Sequence, residues 1–247
     1  MDAESVNWST MPASSRVDTY RLVKPWYHTV KAITYVAFRL LFGLRIIGMD
    51  RVPRSGPVII APIHLSELDP PMLGCIVPRY MRFMAKEQLF KGLIGRIIAS
   101  VGAFPVYRGE SDSSALRLAK ETLTGGGTVL IFPEGRRGDG LQLQPIQAGI
   151  GMLAERTAAT IVPVGICGTH IALPRNAKRP RRARVTIAFG RPFSYADVGV
   201  TGRESRQRFN ELLAQHMAEA TAEAGLVVRI DPSTTPLSPG DAREQAP

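Results

Sequence analysis

The sequence predicts an α/β domain with a mixed, largely parallel sheet, preceded by an amphipathic helix. Short runs rich in Val, Ile and Phe, bounded by Gly or Pro, alternate with segments of helical period. Such alternation is typical of parallel strands connected by helices. The length of 247 residues suits one domain with short appendages, and nearly half of the residues are hydrophobic, which is enough for a sizeable core.

Four segments are predicted along the chain. Residues 1–22 are polar and lack the basic start and apolar stretch of a cleaved secretory signal, so we expect none. A helix is predicted over 23–48 and the α/β domain over 49–230. Residues 231–247 are rich in Pro, Ser and Thr, which is typical of a disordered tail.

The helix predicted over 23–48 is apolar over most of its surface. At about 100° per residue, its charged residues fall on one narrow stripe. The stripe contains Lys24, His28, Lys31, Tyr35, Arg39, Phe42 and Arg45. A basic stripe on a broad apolar helix is typical of a helix that lies among lipid headgroups, and Trp26 and Tyr27 suit that position. The alternative is a helix packed on the domain with a solvated basic edge.

The α/β domain contains six predicted strands and four predicted helices. The strands are 57–63, 80–85, 103–107, 128–133, 160–166 and 184–190. The helices are 87–101, 112–124, 146–158 and 203–224. The first of these helices repeats apolar residues every three to four positions, and the second begins at a capping Asp-Ser-Ser cluster and ends at three glycines. In such sheets, sites gather at the carboxyl ends of the strands.

The net charge of +10 favours an anionic partner, such as nucleic acid, anionic lipid or a phosphorylated substrate. Six basic residues stand within 175–184, and no aromatic residue interleaves them. That composition favours anionic lipid over nucleic acid. Cys75 and Cys167 lie too far apart in sequence for a disulfide framework or a metal-binding spacing, so we expect a reducing compartment.

The stretch "IHLSELDP" places a histidine at the end of a buried strand. Asp69 follows His64 by five residues and precedes two prolines, which predicts that Asp69 caps a helix. A turn between them can fold the carboxylate onto the imidazole, fixing its tautomer and leaving the other nitrogen as a base. The alternative is a loop histidine beside an ordinary cap. His170, just after another strand, is a rival base without an acid nearby in sequence.

Two further stretches place basic residues after strands. "FPEGRRGDG" puts Glu134 at a strand's carboxyl end, followed by Gly135, which permits a tight turn. Arg136 and Arg137 then offer planar guanidinium groups suited to phosphate, although the loop could simply be solvated. "GAFPVYRGE" is another strand, and it leads to Arg108.

Together these stretches resemble the glycerophospholipid acyltransferase family, which includes the 1-acylglycerol-3-phosphate acyltransferases. The family's N-H-x-x-x-x-D, G-x-x-F-x-x-R, F-P-E-G-T-R and V-P-V blocks occur here in family order. Their matching residues are His64 and Asp69; Gly102, Phe104 and Arg108; Phe132 to Gly135 and Arg137; and Val162 to Val164. Two positions depart from the pattern. Ile63 stands where the family often has Asn or Ser, and Arg136 replaces a small polar residue.

The resemblance implies a single acyltransferase domain that moves an acyl group from acyl-CoA or acyl-carrier protein to 1-acylglycerol-3-phosphate, forming phosphatidic acid. His64 would be the general base and Asp69 its orienting acid. It implies neither a metal nor another cofactor, and no serine or cysteine nucleophile. Residues implied in binding the acceptor phosphate are Arg108, Arg137, Lys86 and Arg136. Residues implied in shaping the acceptor pocket are Glu134, Gly135 and Phe104.

The implied partners are the acyl donor, lysophosphatidic acid and an anionic membrane surface, with no nucleic acid. The implied location is peripheral, on the cytoplasmic face of the cell membrane. Relatives that acylate glycerol-3-phosphate or other lysophospholipids share the same blocks and stay open as alternatives. A non-catalytic basic membrane-binding protein or a polyanion-binding module would explain the charge, but neither would require both His64 and Asp69.

Overall fold

The computed structural model describes residues 13–86, 90, 95, 98–106, 113–200 and 203–230. Its centre is a seven-stranded sheet with the strand order β1-β8-β7-β2-β5-β3-β4. The strands of this sheet are β1 (Arg45–Ile47), β2 (Val58–Pro62), β3 (Met81–Lys86), β4 (Ala103–Val106), β5 (Thr128–Leu130), β7 (Thr160–Cys167) and β8 (Thr186–Phe189). Two short strands, β6 (Gln142–Leu143) and β9 (Arg229–Ile230), pair with each other in a separate parallel ribbon.

The prediction of a mixed, largely parallel sheet is confirmed. Adjacent strands from β7 through β2, β5 and β3 to β4 pair in parallel. The β7–β8 pair is antiparallel, and β1 is parallel to β8. The carboxyl ends of β2 and β7 therefore lie at the same sheet edge as the start of β8 and the start of β1.

The helices of the described part of the chain surround this sheet. They are α1 (Ala13–Phe42), α2 (Asp69–Ile76), α3 (Ser113–Thr124), α4 (Ala148–Thr157), α5 (Thr169–Ala172) and α6 (Arg203–Glu223). Helix α6 packs so closely on β7 that a Cβ on Gly165 would stand 2.2 Å from the carbonyl carbon of Ala220. Most of the helix predicted over 87–101, and the tail over 231–247, lie outside the described residues.

Helix α1 ends at Phe42, six residues before the predicted end of the N-terminal helix. Gly43 adopts a left-handed conformation, with φ of 52°, and this geometry commonly follows the last turn of a helix. The apolar residues after it form β1, which pairs with β8. The prediction that the helix continues to residue 48 is therefore wrong, because backbone pairing with the sheet takes these residues from the helix.

The basic stripe of α1 faces the domain in part, so Lys31 fits neither the predicted position among headgroups nor the alternative of a solvated basic edge. The Lys31 ammonium donates a hydrogen bond to the carbonyl oxygen of Val77, just after α2, and burial lowers its pKa. Tyr27 and Phe42 are also buried. The outward face is apolar instead, with exposed side chains at Trp26, Ile33, Val36, Leu40 and Leu41. Among the described helices, none is both long and apolar enough to cross a membrane.

Candidate active site

The site forms where β2 ends at the carboxyl edge of the sheet. Every residue of β2 is buried, and the Ile63 backbone N–H continues its pairing by donating to the Val164 carbonyl oxygen at 3.0 Å. The chain then leaves the sheet, and His64 is the first residue beyond this pairing. Its side chain is 17% exposed. A rigid strand therefore delivers the imidazole to the surface at the edge where sites of parallel sheets gather.

Asp69 lies against the imidazole as the spacing predicts. The Asp69 Oδ2 atom is 3.0 Å from His64 Nδ1, and it also accepts the backbone N–H groups of Leu65 and Ser66, each at 2.7 Å. The Asp69 side chain is fully buried. Because a carboxylate held by two backbone donors is an acceptor, Nδ1 carries the imidazole proton and Nε2 holds the lone pair.

The prediction that Asp69 is the N-cap of α2 is wrong in detail. Leu68 is the cap residue and Asp69 is the first residue of the helix. Its carboxylate accepts from the turn that precedes the helix instead of from the first helical turn. The carboxylate therefore fixes the loop between His64 and α2 as well as the imidazole.

The imidazole ring stacks on Phe132, with ring centroids 3.9 Å apart and planes inclined by 29°. Phe132 lies just after β5, so the neighbouring strand fixes the plane of the ring. Asp69 fixes its rotation at the other side. Within the described part of the chain, no hydrogen bond involves His64 Nε2, and this nitrogen is available to a substrate hydroxyl. The sequence alone does not predict this stacking of Phe132 on His64, although Phe132 begins the F-P-E-G block.

Glu134 holds the backbone of the same histidine. Its Oε1 atom accepts the His64 N–H at 2.9 Å, and its Oε2 atom accepts the Gln144 N–H at 3.0 Å. The Gly138 N–H donates to the His64 carbonyl oxygen at 2.8 Å. The loop after β5 therefore binds both the backbone N–H and the backbone carbonyl oxygen of His64. Glu134 is 2% exposed. Burial raises the pKa of the Glu134 carboxyl, and the two backbone donors oppose that shift.

These contacts change the role expected of Glu134. A buried carboxylate with both oxygens bonded to backbone N–H groups positions the loop, and its implied part in shaping the acceptor pocket stays a prediction. Gly135 beside it has φ of 65°, a conformation that permits the sharp turn of this loop. An added Cβ at Gly135 would meet Gln147 Cγ at 3.2 Å.

The two arginines of the loop point to different neighbours. Arg137 Nη1 lies 3.4 Å from Glu67 Oε1, in the turn between His64 and α2. The Arg137 side chain is 18% exposed and that of Glu67 is 65% exposed. Arg136 is exposed and donates to Gln144 Oε1 at 2.6 Å. Arg137 is therefore placed beside the turn between His64 and α2, whereas Arg136 is held by the segment after β6.

Of the other implied site residues, Phe104 lies away from His64, whereas the placements of Lys86 and Arg108 stay predictions. Phe104 is buried on β4, and the Arg82 guanidinium lies 5.6 Å from the centroid of its ring. Since β4 is three strands from β2, about 14 Å at ordinary strand spacing, Phe104 belongs to the packing of the sheet's far edge. Lys86 ends β3, but its side chain lies outside the described atoms, and Arg108 lies outside the described residues.

A second loop, which follows β7, supports the turn between His64 and α2. The Ser66 Oγ atom donates to the Leu173 carbonyl oxygen at 3.0 Å, and Ser66 is fully buried. His170, the rival base, lies on α5 in this loop. Burial lowers the pKa of His170, and the nearby Asp69 carboxylate acts in the opposite direction. The Asp69 carboxylate binds His64 Nδ1, so the structure gives the orienting acid to His64.

Comparisons with known proteins show what this chain is similar to. A family model described as "Acyltransferase" matches residues 43–167. The 1-acyl-sn-glycerol-3-phosphate acyltransferase of Bacillus subtilis (strain 168) is 27% identical over 188 residues, covering 74% of this chain and 91% of that protein. The human 1-acyl-sn-glycerol-3-phosphate acyltransferase beta is 32% identical over 138 residues, covering 52% of this chain and 48% of that protein.

A solved structure shares the fold. The crystal structure of the 1-acyl-sn-glycerophosphate (LPA) acyltransferase PlsC from Thermotoga maritima superposes with a TM-score of 0.64 at 23% identity, covering 87% of this chain and 86% of that chain. The family model covers about half of the chain, from the residue after α1 to the end of β7, and so includes the strand that leads to His64 and the loop that carries Glu134. This chain belongs to the acyltransferase family.

Proposed function

We propose that this protein transfers a fatty acyl group from acyl-CoA or acyl-carrier protein to the free hydroxyl of 1-acylglycerol-3-phosphate, forming phosphatidic acid. The observation that carries the proposal is the His64–Asp69 pair, with Nε2 of the imidazole open to a substrate. Two relatives named as enzymes that acylate 1-acylglycerol-3-phosphate support the choice of acceptor.

The transfer proceeds by direct attack. His64 Nε2 takes the proton of the acceptor hydroxyl while the hydroxyl oxygen bonds to the thioester carbonyl carbon. The carbon–sulfur bond then breaks, and the imidazolium returns the proton to the departing thiolate. Asp69 holds the imidazole in the reactive tautomer and stabilises the imidazolium. General-base help of this kind is typically worth about 10²–10⁴ in rate.

The acceptor phosphate binds at Arg137. This guanidinium lies beside the turn that carries His64, and the Glu67 carboxylate that it contacts is mostly exposed. Glu67 can return to solvent when a phosphate replaces it, and the phosphate gives the mostly buried Arg137 guanidinium another charge-assisted contact. Arg108 is assigned to the same phosphate by its position in the G-x-x-F-x-x-R block, and Lys86 by its position at the end of β3. Arg136 is assigned a minor part, since Gln144 already holds it.

The protein acts as a peripheral protein on the cytoplasmic face of the cell membrane, attached through α1. Support comes from the outward face of α1, where Ile33 is 66% exposed and Leu40 is 72% exposed. Apolar side chains in a row on a helix surface suit burial at the boundary between headgroups and acyl chains.

The decisive experiment offers purified protein labelled acyl-CoA and acyl-carrier protein with lysophosphatidic acid, glycerol-3-phosphate or other lysolipids. We expect phosphatidic acid as the main product, and His64→Ala should lower kcat at least about 100-fold, the lower end of general-base catalysis. His216→Gln on α6 serves as the matched histidine control. A product formed mainly from glycerol-3-phosphate would replace the proposed acceptor, and a His64→Ala variant with near wild-type kcat would refute the mechanism.

A further inference from the structure

The loop over 175–184 carries a concentrated positive charge that the proposed chemistry does not use. All six of its basic side chains are exposed, and they are Arg175, Lys178, Arg179, Arg181, Arg182 and Arg184. None of them forms an ion pair with another described residue. The nearest acidic residues along the chain are Glu155 and Asp197. The positive charge of this loop is therefore free to attract an external anion.

The loop is held against the domain at its centre. The Arg181 backbone N–H donates to the Ala172 carbonyl oxygen at 2.8 Å, and Arg181 Nε donates to the Ile171 carbonyl oxygen at 2.8 Å. The Ile171 side chain is 47% exposed. An apolar side chain thus stands directly beside the basic residues, an arrangement that suits the boundary between headgroups and acyl chains.

The residues that flank this loop lie at the sheet edge where His64 stands. At one end, the Val185 N–H donates to the Phe42 carbonyl oxygen at 3.0 Å, which joins the loop to the end of α1. Leu40 and Leu41 are exposed in this last turn of α1. At the other end, Leu173 accepts the hydrogen bond from Ser66, in the turn that carries His64. The charged loop therefore connects the apolar face of α1 with the catalytic turn.

We infer that the loop over 175–184, together with the neighbouring Ile171, binds the headgroups of anionic lipids. It forms a second membrane contact beside α1, and this contact brings the turn that carries His64 to the lipid surface. An acidic carrier protein would also be attracted by the charge. The continuity of the loop with exposed apolar residues on α1 and at Ile171 favours lipid, because a purely electrostatic protein contact does not require them. The inference rests on the proposed function only in taking the membrane as the source of the acceptor.

The test uses the full chain and vesicles of phosphatidylcholine with or without phosphatidylglycerol, in the absence of acyl donor. The variant is Lys178→Gln/Arg179→Gln/Arg182→Gln, which spares the hydrogen bonds of Arg181. Each basic residue at an anionic surface contributes about fivefold in affinity. We expect the variant to bind phosphatidylglycerol vesicles at least about tenfold more weakly and to bind pure phosphatidylcholine vesicles as the wild type does.

The matched control removes the same charge elsewhere, as Arg117→Gln/Lys120→Gln/Arg156→Gln on α3 and α4, where these side chains are exposed. We expect this variant to lose little vesicle affinity. Equal losses in the two variants would reduce the effect to net charge and overturn the inference, and so would unchanged binding of the loop variant. Retained vesicle binding with a raised KM for acyl-carrier protein alone would assign the loop to the carrier instead. His64→Ala should bind vesicles normally, so a failure of the proposed chemistry remains distinguishable.

Discussion

At the scale of single residues, Glu134 shows how a buried carboxylate holds the backbone of the candidate site in place. A buried carboxylate is costly unless it is hydrogen-bonded, and both oxygens of Glu134 have backbone donors, from His64 and Gln144. The side chain thereby ties the loop after β5 to the end of β2. The bond to the His64 N–H fixes the position of the backbone that carries the imidazole.

Glu134→Gln tests this positioning role. The amide retains one acceptor oxygen but places its NH₂ group against the other backbone N–H, leaving a buried donor unsatisfied at a cost of about 1–3 kcal/mol. We expect a lower free energy of unfolding by denaturant, together with a lower kcat and little change in the acceptor KM. Glu155→Gln, at an exposed position on α4, is the control. A raised acceptor KM with unchanged stability would instead place Glu134 in contact with the substrate.

His170 predicts a pH dependence of stability. Burial lowers its pKa, so the unfolded chain binds a proton at higher pH than the folded protein does. Stability from His170 is therefore present above its ordinary pKa of about 6.5 and is lost as the pH falls through the lowered value in the fold. We expect the free energy of unfolding to fall between about pH 7 and pH 5, and to fall less in His170→Gln.

The raised pKa of the Glu134 carboxyl has the opposite effect on how the free energy of unfolding depends on pH. Its contribution is present below the ordinary pKa of about 4.5 and is lost as the pH rises through the raised value, so it cannot produce a loss on acidification. Equal pH slopes for the wild type and His170→Gln, measured by denaturant titration, would show that other groups cause the loss.

At the scale of elements, local patterns predicted six strands of the central sheet, missed the short strands β1, β6 and β9, and could not specify contacts between elements. Runs of β-branched residues bounded by Gly or Pro located β2, β5 and β7, because buried parallel strands are apolar on both faces. Periodicity also showed that α1 has two different faces. It could not show which one meets the domain, since that depends on the Val77 carbonyl oxygen, 46 residues from Lys31.

The same limit applies to the site. The five-residue spacing of His64 and Asp69 predicted their contact, because a turn joins them. The clamp by Glu134 spans 70 residues and requires β2 and β5 to be neighbours, which no local pattern specifies. The sequence does not predict the stacking of Phe132 on the imidazole for the same reason, since that contact also requires β2 and β5 to be neighbours.

The outward face of α1 predicts how strongly the protein attaches to membranes. Ile33 and Leu40 are mostly exposed, so replacing both with Gln removes apolar surface without opening the core. Full burial of such a side chain is worth about 1.5–3 kcal/mol, so we expect vesicle affinity to fall more than about tenfold with an unchanged melting temperature. Leu141→Gln/Val227→Gln, at exposed positions near β6 and β9, is the control, and equal losses in both variants would contradict a specific role for α1.

At the scale of the whole molecule, the candidate active site and the proposed membrane contacts share one edge of the sheet. The ends of β2 and β5 supply the imidazole and its clamp, and β7 supplies the supporting loop. Because β8 and β1 start at this edge, the last turn of α1 lies there as well. The arrangement predicts that the protein meets the membrane as a rigid body, with α1 still docked on α2.

Cys75 reports whether α1 stays docked. The thiol is 5% exposed on α2, and burial raises its pKa to about 12, with the Lys31 charge opposing the shift. At about pH 8 nearly all of this thiol is protonated and shielded, whereas thiolate is the form that reacts. We therefore expect labelling of Cys75 to require the opening of α1. In a Cys167→Ser variant, we expect a maleimide to label Cys75 slowly, and anionic vesicles to leave that rate unchanged. Cys75→Ser, which leaves the more exposed Cys167, controls for reagent lost to the lipid. Faster labelling of Cys75 on vesicles would mean that α1 leaves α2 when it enters the membrane, because docking through the outward face alone keeps the thiol covered.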